Sequence, residues 1–147
     1  MNWTTLLRFR KQVEDMAREA VVLTEWEKSQ EAMKVEQLER EMESIAGDLA
    51  SLLREGTEGI LTEERYRWLD ILREHLERQV QKIEGLEDKL VGLREKLKKA
   101  YQARRVVELV IEKKEKEVFA MLARQEQQLH DEISAHAYSV RNHEEIA

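Results

Sequence analysis

Hydrophobic side chains recur along this chain in alternating steps of three and four, and the rhythm breaks once, at Gly56 and Gly59. Leu6, Phe9, Val13, Met16, Ala20 and Leu23 form a first run. Val35, Leu38, Met42, Ile45, Leu49 and Leu52 form a second. Beyond the glycines come Leu69, Leu72, Leu76, Ile83, Leu86, Leu90, Leu93, Leu97, Ala100, Val107, Ile111, Val118 and Met121. Steps of three and four place such residues on one narrow stripe of a helix, a width suited to contact with one other helix. The pattern predicts an all-α fold, a long two-helix antiparallel coiled-coil hairpin with the longer helix at the C-terminal side. The predicted bounds are about 5–54 for the first helix, 55–61 for the turn and 62–141 for the second helix, in a single domain. Gly56 is placed to end a helix in the left-handed conformation. Thr5 and Thr62 are the predicted caps, and Glu63 and Glu64 follow Thr62 where a helix dipole favours acids.

Folding the chain at that turn pairs residues whose numbers add to a constant near 117. Ile45 faces Leu72, Met42 faces Leu76, Leu38 faces Gln79, Val35 faces Ile83, Ala20 faces Leu97 and Leu6 faces Ile111. Agreement of two independent seams supports an intramolecular hairpin. Within the first helix the stripe slips by one residue between Leu23 and Val35, with Trp26 and Met33 the apolar residues expected to bridge it. From residue 118 the second helix has no partner. This leaves an overhang of about 25 residues, roughly 35–40 Å at 1.5 Å per residue. The overhang still carries Val118, Phe119, Met121, Leu122, Leu129 and Ile133. A stripe of apolar residues on an isolated helix calls for a partner.

Composition sharpens the picture. Among 147 residues there is no proline, 38% are charged and only 5% aromatic, the mixture of long solvated helices. Cysteine is absent, which excludes disulfides and thiolate chemistry. No stretch approaches the roughly 20 apolar residues of a membrane span, and the apolar start is too short for a secretory signal, so a cytosolic protein is expected. The net charge of −6 is uneven: residues 14–31 carry six acids against two bases, and 89–116 carry ten bases against four acids. The predicted register lays the acidic stretch beside the basic one, which accounts for the basic charge without nucleic acid or lipid.

No catalytic constellation emerges, and no metal or cofactor is expected. His130 and His136 stand beside Asp131 and Glu132, but a spacing of six puts them on different helix faces. His75 falls beside the seam and reads as a surface helix position, and Trp68 beside Tyr66 reads as packing near the turn.

The opening Leu6-Leu7-Arg8-Phe9-Arg10-Lys11-Gln12-Val13-Glu14 carries an LLxxRxxxE pattern. With Ile60-Leu61-Thr62 after the turn, the stretch from Tyr66 to Leu76, and the charged run from Glu115 to Asp131, the chain resembles the FliJ family over essentially its whole length. These are stalk proteins of flagellar type III export. The resemblance implies a non-enzymatic part resembling the coiled coil of the rotary ATPase gamma subunit. It implies a place in the centre of the hexameric export ATPase (FliI-like) and a link to the export gate protein (FlhA-like), with export chaperones escorted. It also implies a cytoplasmic location, peripheral to the inner membrane through the export apparatus. On this reading Val118, Met121, Leu122, Leu129 and Ile133 meet the ATPase ring. The family's gate-contacting surface matches Leu38, Met42, Ile45, Leu49, Leu72, Leu76, Gln79 and Ile83, residues that the periodicity assigns to the seam. The related YscO family of injectisomes implies the same shape and similar duties. A generic scaffold coil is the other alternative; it would be an obligate oligomer, where a stalk is monomeric.

Overall fold

The computed structural model describes residues 2–56 and 59–146 of the chain. Two helices form an all-α hairpin: α1, Trp3–Arg54, and α2, Ile60–Ile146. Asn2, not Thr5, caps α1. Its Oδ1 accepts the Thr5 N–H at 3.2 Å, satisfying one of the amides that a helix start leaves orphaned. α1 ends where Gly56 takes φ 73°, and the Gly56 N–H donates to the Leu53 carbonyl at 3.2 Å. This is the left-handed ending expected of that glycine. α2 begins earlier than a Thr62 cap requires. The Glu63 N–H already donates to the Gly59 carbonyl at 3.0 Å, with Gly59 at φ 131°. Thr62 therefore sits inside the first turn, buried, and Glu63 is the first-turn acid. Thr57 and Glu58, in the predicted turn, lie outside the described residues.

The chain divides into two compact units, Lys11–Tyr101 and the pair Met1–Arg10 with Gln102–Ala147. Within Lys11–Tyr101, the α2 positions withdrawn from solvent are Thr62, Arg65, Leu69, Leu72, Leu76, Gln79, Ile83, Leu86, Leu90, Leu93, Leu97 and Ala100. That is an unbroken heptad ladder with Leu90, 1% exposed, its most buried member. The ladder of α1 is equally unbroken: Glu14, Ala17, Val21, Thr24, Lys28, Glu31, Val35, Leu38, Met42, Ile45, Leu49 and Leu52. Matched rung by rung from the turn, Leu52 with Thr62 and onward to Glu14 with Ala100, the paired numbers add to 114. Polar contacts between the helices bracket that value: Glu25 with Arg94, Lys28 with Glu87, and Glu31 with Lys82 and Gln79.

The α1 seam thus differs from its sequence reading before Val35. Phe9, Met16 and Leu23 are 54%, 64% and 57% exposed, and the seam runs one residue later, through Glu14, Val21, Thr24 and Glu31. There is no slip to bridge, and Trp26 and Met33 are both exposed. The register is correspondingly three positions tighter than 117. Polar residues occupy the seam because each finds a partner. Glu14 takes Arg18 at 3.0 Å, and the Thr24 Oγ1 donates to the Ala20 carbonyl at 2.8 Å. A buried polar group so satisfied avoids most of the penalty of leaving water.

Candidate functional site

In the unit formed by Met1–Arg10 and Gln102–Ala147, the same ladder places Trp3, Leu7 and Arg10 beside Arg104, Val107 and Ile111. Trp3, with the Lys114 Nζ 5.3 Å from its ring centroid, lines a shallow groove with Ile111, Val118 and Phe119. Glu108 accepts from Arg104 at 2.6 Å and Arg105 at 2.8 Å. The Arg105 hydrogen bond, then that of Arg104, holds its carboxyl below the usual carboxylate range. This is the last ordered cluster of withdrawn side chains. From Glu112 to Glu145 every residue of α2 is exposed.

Val118, Met121, Leu122, Leu129 and Ile133 all fall in that exposed stretch, each at least half uncovered. Phe119, Tyr138 and Val140 are exposed with them, and the latter two received no role from the sequence. Apart from the groove shared with Trp3, these apolar side chains stand exposed along the helix.

The eight residues matched to a gate contact lie in the interhelical seam of the other unit. Leu49 and Leu72 are buried, and Leu38, Met42, Ile45, Leu76, Gln79 and Ile83 are half-buried. Beside them a groove opens, lined by Leu38, Glu41, Trp68, Ile71, His75 and Gln79. Trp68 and Ile71 are 48% and 47% exposed.

The seam holds one polar hub. Glu31 is buried, and its carboxylate meets Lys82 at 3.0 Å, Lys34 at 3.2 Å and the Gln79 amide. The Lys82 hydrogen bond, opposed by burial and aided by Lys34, holds the Glu31 carboxyl below its ordinary range. The hub sits where the sequence places only a slipping seam. Extending the strict ladder back from Val35 finds it. Of the acidic and basic stretches expected to lie together, Glu25 and Arg94 make a direct pair at 3.2 Å, while Lys28 pairs with Glu87 in the opposite sense.

Among the described residues, no group of three or more His, Cys, Asp and Glu is arranged to hold a metal ion, and His130 and His136 are exposed. No helix of the described residues is long and apolar enough to cross a membrane.

The described residues form an all-α helical hairpin in which α2 is exposed from Glu112 to Glu145. Residues 3–143 match the family described as Flagellar FliJ protein. The chain belongs to that family, and so is a structural component of flagellar type III protein export, on the cytoplasmic side of the apparatus. Comparison with curated proteins and with solved structures gave no match.

Proposed function

We propose that the chain is the stalk of the export ATPase ring, with the C-terminal stretch of α2 entering the ring and the turn end of the hairpin meeting the export gate. The observation that carries this reading is the exposed stretch 112–145, rich in apolar side chains and, past the groove that Trp3 shares with Val118 and Phe119, without a second helix beside it among the described residues. Burying one such side chain is worth about 1.5–3 kcal/mol, so a few of them suffice for a specific contact. The stalk needs no catalytic residue, because its partners bias it through different contacts in their different states. Gate contact at Leu38, Met42, Ile45, Leu49, Leu72, Leu76, Gln79 and Ile83 uses the edges of side chains that the seam leaves half-covered. Escort of export chaperones completes the role. The chain acts as a monomer, held at the inner membrane through its partners.

The test is truncation after Ala120, which retains Val118 and Phe119 against Trp3. The truncated chain should melt within a few degrees of the full chain and lose stimulation of the export ATPase. Normal stimulation by the truncated chain moves the contact elsewhere, and loss of its cooperative melting makes the C-terminal stretch part of the fold instead.

A further inference from the structure

Over residues 14–33 of α1 apolar side chains lie on both sides of the helix. The seam at this level mixes Glu14, Thr24, Lys28 and Glu31 with Ala17 and Val21, while the face turned away from α2 holds Met16, Val22, Leu23, Trp26 and Met33, each between 57% and 64% exposed. Met16 and Leu23 are seven apart, as are Trp26 and Met33, and Leu23 and Trp26 are three apart. The outer face therefore carries a second heptad ladder offset from the first. That spacing fits the apolar stripe of another helix laid along it, and a strand or loop would not match it. Val22, Leu23 and Trp26 already form the floor of a groove walled by Asp15, Arg18 and Glu19.

Charge selects the occupant. The surrounding stretch carries six acids against two bases. Both bases and four of the acids are engaged: Arg18 by Glu14 and Asp15, Lys28 by Glu87, Glu25 by Arg94, and Glu31 by Lys34 and Lys82. That leaves Glu19, in the outer ladder, and Glu27, beside it, as the acids of this stretch outside any ion pair among the described residues. Two copies of this face brought together would set these acids against each other, a repulsion that a basic helix turns into attraction. We propose that the outer face of α1 from Met16 to Met33 seats an amphipathic helix of another protein, with an apolar ladder flanked by lysines and arginines. The face spans about 26 Å at 1.5 Å per residue, enough for roughly 18 residues of partner helix. It is separate from the C-terminal stretch and from the turn end, and the proposal does not rest on either.

Trp26 is a built-in reporter, since covering an exposed indole moves its emission to the blue. A chain carrying Trp3→Phe and Trp68→Phe leaves Trp26 as its sole indole. The probes are two synthetic 18-residue peptides with leucines in a three/four ladder, one flanked by lysines and one by glutamates. The lysine peptide should shift the Trp26 emission saturably, and the glutamate peptide should not. Leu23→Lys, which faces solvent, should weaken the lysine peptide by roughly tenfold or more with melting temperature and helicity unchanged. No shift with the lysine peptide, an equal shift with the glutamate peptide, or indifference to Leu23→Lys overturns the proposal. So does a blue shift that grows with protein concentration alone and tracks a dimer in sedimentation, because the occupant is then a second copy of this chain.

Discussion

Glu31 is the residue on which the α1 seam turns. A buried carboxylate is costly unless paired, and this one has two ammonium groups and an amide. Because its folded pKa is depressed, its contribution is present above the ordinary glutamate range of about 4.3 and fades as pH falls through the lower folded value. Glu31→Gln should therefore lower the melting temperature at neutral pH and flatten its decline in acid. A variant as acid-sensitive as the parent assigns the loss to other carboxylates. The same residue scale separates the two faces of α1 from the core of the hairpin. Leu90→Ala, at the most buried site, should cost about 2–5 kcal/mol in denaturant unfolding. Leu23→Ala, on the outer face, should stay within about 0.5 kcal/mol. Equal costs would restore Leu23 to the seam.

At the scale of the elements, α2 was readable almost rung for rung, since its seam residues from Leu69 to Ile111 are mostly leucine, isoleucine and valine. α1 was readable from Val35 to Leu52 and misread before it. Apolar periodicity there follows Phe9, Met16 and Leu23, whereas four of the six seam rungs from Glu14 to Glu31 are polar, Glu14, Thr24, Lys28 and Glu31, whose polar groups are paired or carried to the edge on long stems. Hydrophobicity alone cannot see a polar rung that is satisfied by its neighbours. The unbroken ladder of α2 was the available signal, because a slip in one strand of a two-helix coil needs an answer in the other. The register is testable directly. A cysteine pair at Met42 and Leu72, one rung of the 114 ladder, should cross-link within a single chain faster than a pair at Met42 and Leu76. The reverse order supports the looser register near 117. At the turn, Gly56 has a φ that an alanine tolerates poorly, and Gly56→Ala should cost about 1 kcal/mol in thermal unfolding.

For the whole molecule, two properties follow from one composition. A chain with 38% charged residues and no proline keeps its helices long, and the seam consumes only part of its apolar side chains. Of those left over, one group lies on the outer face of α1 and another on α2 beyond Ile111, with others near the turn and along the exposed side of α2. The first of these was hidden in the sequence because Met16 and Leu23 read as hairpin seam and Trp26 and Met33 as the bridge across its slip. The second was legible, because the partner helix runs out before it. Membership of the flagellar FliJ family gives this surplus a setting, the flagellar export apparatus. The most direct measurement places a photo-reactive side chain at Leu129 in one chain and at Leu76 in another, each mixed with the hexameric export ATPase. The stalk account predicts an adduct to the ATPase from Leu129 and none from Leu76. An adduct from Leu76 alone would contradict it.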